Sequence, residues 1–210
     1  MSSSTNEDIF KEALKEPLGA PKQLRKILDD LSRDLTDFTR SICANVNLNS
    51  NIRVIPTLTR IIEHEVEVFN RRLIGDEAIT IVYERIKKRK LIIYAWYDPE
   101  RKTIFIYLRL SPDEFCLSLA HELIHHCQYT CHSEICKNIC EYWLNVDEGR
   151  EIRITTPYNL RPHEIEAYTK DEEFCKKIKE MKGFNEIINK IKDAEAKVKY
   201  ILTLMDILNA

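Results

Sequence analysis

The chain has 210 residues, with 32 basic and 34 acidic side chains and a formal net charge of −2, so its overall charge attracts neither nucleic acid nor an anionic membrane surface. A hydrophobic content of 44% beside 31% charged residues is typical of a globular protein with one sizeable core. The chain starts without a basic, apolar leader, and no stretch approaches about 18 apolar residues, so we expect a cytoplasmic protein without a membrane span.

The composition also bears on temperature and redox state. Glutamine occurs only twice and glycine four times, while Lys, Glu, Arg and Ile are abundant, a balance typical of thermophilic proteins. We therefore expect a high melting temperature, which thermal unfolding would test. Seven cysteines in a cytoplasmic protein are normally thiols or metal ligands, but intracellular disulfides are common in hyperthermophiles.

Two amphipathic helices are predicted near the N-terminus. Apolar residues recur at three- and four-residue steps from 22 to 43, and again after Pro56. We expect residues 1–75 to form an N-terminal helical region packed on a second domain, residues 76–210. The two apolar stripes comprise Leu24, Ile27, Leu28, Leu31, Leu35 and Phe38, and then Leu58, Ile61, Ile62, Val66, Phe69 and Leu73.

The middle of the chain predicts a β-hairpin over 91–110. The segments LIIYAWY and TIFIYLRL are rich in β-branched and aromatic residues and flank the turn sequence DPERK. The segment before them, 78–86, fits a strand or a helix equally well. The run RIKKRK at 85–90 has five basic residues in six; we favour a solvated face, with a nucleic-acid contact as the alternative.

A helix should begin after this hairpin. Ser111 can cap it, Pro112 suits its first position and Glu114 can close a capping box. A second helix is expected after Arg161 and Pro162, and Gly183 should separate it from a last helix.

The helix that follows Ser111 carries the sequence HELIH. His121 and His125 are four residues apart, so their imidazoles lie one turn apart on the same face and can reach one ion. Glu122 lies about 100° round the helix from His121, where it can touch a water bound to that ion. This spacing is typical of a catalytic zinc site, in which the glutamate acts as general base.

HELIH, followed some 40 residues later by a Glu-Ala pair on a second helix, resembles the gluzincin metallopeptidases, in particular the minigluzincin, ImmA/IrrE and SprT-like groups. The resemblance implies an α+β, mostly helical, zincin-like fold with a small antiparallel sheet before the HExxH helix. It implies that His121, His125 and Glu166 bind one catalytic Zn²⁺, with Glu122 as the base. Glu164 and His163 are rival third ligands; Glu164 lies about 200° from Glu166 on a helix, so only one of the two can face the ion.

No downstream histidine of the thermolysin type is evident to stabilise an oxyanion. Tyr158, His163 and Tyr168 are candidates for that role, or for supporting the ligands, because they lie near Glu166 in the sequence.

The cysteines after HELIH point to a second element. Cys127 lies about 200° from His125 on the helix, so the thiol and metal faces differ. The spacing fits a helical hairpin with disulfides from Cys127 to Cys140 and from Cys131 to Cys136, although four cysteines allow three pairings. A structural zinc and free buried thiols are the alternatives. We expect Cys43, Cys116 and Cys175 to be small buried residues, with a link between Cys116 and Cys175 as the alternative.

These features predict a zinc-dependent metallopeptidase that hydrolyses peptide bonds by zinc-activated water, with Glu122 as general base. A protein or peptide substrate would lie extended beside strand 103–110. The alternative is a non-catalytic zincin-fold interaction protein with a structural zinc. A third hypothesis is a peptidase acting on DNA-bound proteins through residues 85–90. The sequence does not define an oligomeric state.

Overall fold

The computed structural model describes residues 22–58, 61–74, 80–130 and 161–208, except for the side chains of 61–92, 162 and 204–208. These ranges contain four helices and five strands, in an α+β arrangement that is mostly helical, as expected. No helix within them is both long and apolar enough to cross a membrane. In chain order the elements are α1 Lys22–Asn45, β1 Arg53–Thr57, β2 Ile61–Ile74, β3 Thr80–Ile93, β4 Ala95–Asp98, β5 Thr103–Tyr107, α2 Pro112–Thr130, α3 Pro162–Glu180 and α4 Phe184–Leu208.

Strands β1, β5 and β4 form a mixed sheet in that order. β4 and β5 are the predicted antiparallel hairpin, although Leu91 to Ile93 belong to β3 and not to β4. β1 pairs in parallel with β5, so the expected antiparallel sheet is corrected to a mixed one. β5 is thus the central strand, with a neighbour on each side, and the substrate pairing that we expected along its edge has no place there.

The predicted turn between β4 and β5 is held by the Asp98 side chain. Its Oδ1 accepts hydrogen bonds from the backbone N–H groups of Glu100 and Arg101, both at 3.0 Å. Lys102, with φ 49°, then returns the chain into β5. Aspartate is favoured at such turns because its carboxylate satisfies backbone donors two and three residues ahead.

The prediction of a second N-terminal helix, after Pro56, is wrong. Residues 61–74 form strand β2, which pairs antiparallel with β3. Of the segment 78–86, for which both a strand and a helix were considered, the structure describes 80–86, and these residues are a strand. The segment EVEV at 65–68 alternates charged and β-branched residues, and this two-residue period favours a strand over the three- and four-residue steps that we weighed. In the register of the two strands, Glu67 of β2 lies opposite Lys88, which belongs to the basic run 85–90 of β3.

Helix α1 forms as predicted and packs on β1. Its side chains hydrogen-bond to the backbone of that strand: Ser32 Oγ donates to the Val54 carbonyl at 2.6 Å, and Thr36 Oγ1 accepts from the Val54 N–H at 2.9 Å. Arg40 Nε donates to the Ile52 carbonyl at 3.2 Å. The edge of β1 that faces away from β5 is therefore covered by the helix, which is one way to protect an edge strand.

One hydrophobic core joins α1, β1, β4, β5 and the other three helices. Helix α2 lies within it, and every residue from Leu119 to Gln128 is buried. α3 and α4 begin where predicted. Gly183 between them has φ +102°, a backbone conformation that residues with a side chain rarely adopt. The division into two regions at residue 75 stays a prediction.

The start of α2 is the predicted capping box. The backbone N–H of Glu114 donates to Ser111 Oγ at 3.3 Å, and the backbone N–H of Ser111 donates to Glu114 Oε2 at 2.8 Å. The pKa of Glu114 is lowered, because the hydroxyl of Ser111 and then its backbone N–H favour the charged carboxylate.

A disulfide joins α2 to α3. Cys116 and Cys175 are bonded, with their Cα atoms 5.4 Å apart and a sequence separation of 59. Both cysteines are buried. The bond cross-links the two helices about one and a half turns before His121 on α2. The link between Cys116 and Cys175 that the sequence offered as an alternative is thus present.

We expect Ser111→Ala to lower the free energy of unfolding by about 1 kcal/mol, because the capping box loses its side-chain acceptor. Urea unfolding of the variant measures this loss. Ser118→Ala, inside the same helix, is the control and should be close to neutral, since alanine favours a helix. Equal losses in both variants would contradict a capping role.

We expect the double variant Cys116→Ala, Cys175→Ala to lose about 4 kcal/mol of stability against the oxidised protein, since the disulfide closes a loop of 59 residues. Denaturant unfolding of the double variant and of the unmodified protein, both without reductant, measures it. Cys43→Ala is the control, because Cys43 is a free, buried thiol. A double variant that matches the oxidised protein would contradict the stabilising role.

Candidate metal centre

The two histidines of HELIH lie side by side on α2. Their rings are 4.7 Å apart between centroids, and His121 Nε2 lies 3.2 Å from His125 Nε2. A four-residue helical spacing places both rings on one face, and packing of α2 against its neighbours leaves both of them buried, at 8% and 7% exposure. The two Nε2 atoms thus point at the same place.

The third member of the cluster is Glu164, in the first turn of α3. Its Oε2 lies 3.3 Å from His121 Nε2 and 3.4 Å from His125 Nε2. The carboxylate is buried, at 4% exposure. His121, His125 and Glu164 together form the group of potential ligands that could hold a metal ion, with their ligand atoms all within 4.8 Å of one another.

The outer nitrogens of both rings also have oxygen neighbours. Asp171 Oδ2 lies 3.5 Å from His121 Nδ1, and Gln128 Oε1 lies 2.8 Å from His125 Nδ1. An oxygen acceptor at Nδ1 favours the tautomer in which the proton sits there, which leaves the Nε2 lone pair for a ligand.

The donor set fits a small divalent cation. Two Nε2 lone pairs and one carboxylate oxygen would converge without a positive charge between them, and such a buried arrangement is costly unless a cation or protons compensate it. The three separations of 3.2, 3.3 and 3.4 Å match the edge of a tetrahedron, about 3.3 Å, around an ion with ligands at about 2.0–2.1 Å.

The electrostatics of the cluster agree with this fit. Burial lowers the pKa of His121, but its hydrogen bonds to Asp171 and Glu164 outweigh burial and raise the pKa overall. The pKa of His125 is also raised, because contact with Glu164 outweighs burial. Burial raises the pKa of Glu164, yet the two histidines hold it well below its usual range. The carboxylate of Glu164 is therefore balanced by positive charge on the two histidines.

Glu122 is buried beside this cluster, at 6% exposure. Burial raises its pKa, and the charges of His125 and His121 act in the opposite direction. Its carboxylate also accepts a hydrogen bond from the backbone N–H of Tyr97 in β4, which lowers the pKa. The sheet hairpin therefore supplies a direct backbone contact to the predicted general base.

The neighbour of the second histidine holds β4 in place. His126 is fully buried; its Nδ1 lies 2.9 Å from the Tyr97 hydroxyl and its Nε2 lies 2.7 Å from the Asn49 carbonyl. Because a carbonyl can only accept, the Nε2 carries the proton and the Tyr97 hydroxyl donates to Nδ1. His126 thus fixes the strand residue whose N–H reaches Glu122.

Glu166, expected as the third ligand, does not lie with the two histidines; Glu164 takes that place. Glu166 Oε2 accepts a hydrogen bond from Gln128 Nε2 at 2.8 Å, and its Oε1 forms an ion pair with Lys170. The two glutamates point to different sides of α3 because they are about 200° apart on the helix.

A sequence signal for Glu164 did exist. Glu164 shares one stripe of α3 with residues at steps of three and four, and this stripe packs against α2. Its small and apolar members are buried, and Asp171, which the sequence reasoning missed, lies on the same stripe. The members after Glu164 are Ala167, Asp171, Cys175 and Ile178.

Of the three candidates for an oxyanion donor or a supporting residue, two lie at the cluster. The Tyr168 ring is 4.6 Å from the His121 ring and is 52% exposed, and desolvation of its hydroxyl with nearby Glu164 raises its pKa to about 12. His163 is buried, with its Nε2 3.5 Å from Glu164 Oε1. Tyr158 lies outside the described residues.

The predicted cysteine hairpin also lies largely outside the described residues. Cys131, Cys136 and Cys140 are among the residues not described, whereas Cys127 is buried and disulfide-bonded. The specific pairings that we predicted from the spacing stay predictions.

Comparison with models of protein families, with curated proteins and with solved structures finds no match for this chain. The residues of the cluster and their geometry are therefore the basis for inferring its function.

The two glutamates of α3 provide a matched test of the third ligand. We expect Glu164→Gln to weaken metal binding at least tenfold, since a carboxylate is lost from the cluster, and Glu166→Gln to bind within a few-fold of the unmodified protein. Titration of the metal-free proteins with Zn²⁺ against a competing chelator measures both affinities. The reverse order would assign the ligand role to Glu166.

Proposed function

We propose that this chain is a zinc-dependent metallopeptidase of the gluzincin type, with one catalytic Zn²⁺. The observation that carries the proposal is the buried cluster of His121, His125 and Glu164, with Glu122 of the same HELIH sequence beside it. A metal site that only stabilised the fold would not require a buried carboxylate next to the ligands.

Zinc is the ion that the donor set favours. Two imidazole nitrogens with one carboxylate oxygen is a ligand set used by catalytic zinc, which keeps its fourth position for water or substrate. Magnesium and calcium prefer six or more oxygen ligands, which these residues do not offer. The three separations near 3.3 Å also suit zinc better than calcium, whose longer bonds would spread the ligands.

In this proposal the chain's residues divide the work of amide hydrolysis. Bound zinc would supply a water of lowered pKa and polarise the substrate carbonyl. Glu122 takes the proton from the attacking water and returns it to the leaving amine nitrogen as the C–N bond breaks. The Tyr97 N–H holds the Glu122 carboxylate in place, and burial of the site keeps bulk water away from it.

The geometry of the sheet supports one position for the substrate. In the antiparallel pairing of β4 with β5, the backbone N–H and C=O groups of Ala95 and Tyr97 are directed away from β5. The Tyr97 N–H on that side already meets Glu122. We therefore place an extended substrate along β4, not along β5, with its scissile bond near Glu122.

Tyr168 is our candidate for the oxyanion donor. It lies one turn after Glu164 on α3, contacts His121 and is half exposed, so its hydroxyl can face an entering substrate. Because its pKa is raised to about 12, the hydroxyl keeps its proton and can donate it in a hydrogen bond.

The test of this proposal is the variant Glu122→Gln. We expect it to bind zinc as the unmodified protein does and to hydrolyse peptides at least 100-fold more slowly, because the proton acceptor is lost while the ligands remain. Cleavage of a mixed peptide library, followed by mass spectrometry, measures the rate and locates the bonds cleaved.

Glu173→Gln is the matched control, since Glu173 is an exposed glutamate of α3 paired with Lys177. It should leave cleavage unchanged. If Glu122→Gln still hydrolyses peptides at the rate of the unmodified protein, the assignment of Glu122 as general base is wrong. Zinc binding with no cleavage in the unmodified protein would favour the alternative, a non-catalytic interaction protein with a structural zinc.

A further inference from the structure

Gln128, three residues after His125, is fully buried between α2 and α3. Its side-chain amide touches three groups at once. Oε1 lies 2.8 Å from His125 Nδ1, and Nε2 donates to the His163 carbonyl at 3.0 Å and to Glu166 Oε2 at 2.8 Å.

The orientation of this amide is fixed by α3. A carbonyl and a carboxylate oxygen can only accept hydrogen bonds, so both must face the NH₂ group of Gln128. The amide oxygen therefore faces His125 and cannot exchange places with the nitrogen without setting the NH₂ donor against Nδ1 and leaving two buried acceptors opposite an oxygen.

This orientation has a consequence for His125. An amide oxygen can only accept, so the proton of the His125 ring must sit on Nδ1. The Nε2 lone pair is then the one that faces His121 Nε2 and Glu164 Oε2. Glu166, held by Lys170, acts one step further out, by fixing the amide.

We infer that Gln128 is a positioning residue: held by Glu166 and the His163 carbonyl, it sets the tautomer and ring orientation of His125 and so prepares Nε2 as a metal ligand. The inference rests on the proposed metal site and adds to it a role for α3 that is separate from ligation. Residues that orient a ligand in this way typically change metal affinity 10- to 100-fold when they are replaced.

Two substitutions separate positioning from simple packing. Gln128→Glu keeps an acceptor against His125 Nδ1 but sets a carboxylate against Glu166 and the His163 carbonyl, so it should destabilise the metal-free protein. Gln128→Leu removes the acceptor as well. We expect Gln128→Leu to bind Zn²⁺ 10- to 100-fold more weakly and Gln128→Glu to bind within a few-fold of the unmodified protein, although both lose stability.

The measurements are Zn²⁺ titration against a competing chelator and urea unfolding of the metal-free proteins. Thr130→Ala is the control for a lost hydrogen bond in the same helix, since its Oγ1 donates to the His126 carbonyl at 2.7 Å, and it should keep its zinc affinity. If Gln128→Glu loses as much affinity as Gln128→Leu, Gln128 only links the helices and the inference is overturned.

A direct reading on the unmodified protein does not depend on any variant folding. In the zinc-loaded, ¹⁵N-labelled protein, we expect the His125 ring to bind through Nε2 and to carry a slowly exchanging proton on Nδ1, visible by NMR. Binding through Nδ1 would overturn the inference on its own.

His121→Ala distinguishes failure of this inference from failure of the proposed function. If it abolishes zinc binding while Gln128→Leu binds as tightly as the unmodified protein, the metal site stands and only the positioning role falls. If His121→Ala binds zinc as the unmodified protein does, the ion lies elsewhere, and both the proposed function and this inference are wrong.

Discussion

The burial of four ionisable side chains on two neighbouring helices is the constraint on which the rest of the structure depends. His121, Glu122 and His125 lie on α2, within a stretch where every residue is buried, and Glu164 meets them from α3. Charges of this kind are stable inside a protein only when each has a partner. The surrounding residues therefore have to supply partners as well as apolar contacts.

Two neighbouring elements, α3 and β4, contribute these partners. α3 brings Glu164 and Asp171 to the histidines, and β4 brings the Tyr97 N–H to Glu122. The close approach of α3 is possible because Ala167, fully buried, leaves room on the stripe that carries both carboxylates. The Cys116–Cys175 disulfide cross-links the same two helices further along, so it limits the sliding that would separate ligands from different helices.

Local signals were enough to predict the elements that carry the site. The capping residues Ser111 and Glu114 set the start of α2, Pro162 the start of α3 and Gly183 its separation from α4. HELIH then placed His121 and His125 together because a four-residue spacing has the same consequence in any α-helix. These predictions depended on one helix at a time.

Two of the errors, the third ligand and the sheet, arose where two elements had to be oriented against each other. Nothing local to residues 162–168 states which side of α3 faces α2, and the choice of Glu166 relied on a resemblance at two residues. The buried stripe through Ala167 and Cys175 decided for Glu164. In the same way, the parallel pairing of β1 with β5 joins residues 53–57 to residues 103–107, and no local pattern in either segment states that they pair.

The division of ligands between α2 and α3 links metal binding to the packing of these helices. An ion that binds only when Glu164 lies against both histidines stabilises the folded state, and the gain rises with its concentration relative to the dissociation constant. By the same linkage, any contact that holds the helices together raises the affinity, because less ordering is left to be done when the ion binds. Gln128 and the disulfide are two such contacts, one beside the ligands and one nearer the start of α2. They differ in kind: the disulfide restricts the distance between the helices, whereas Gln128 also determines which nitrogen of His125 is offered to the ion.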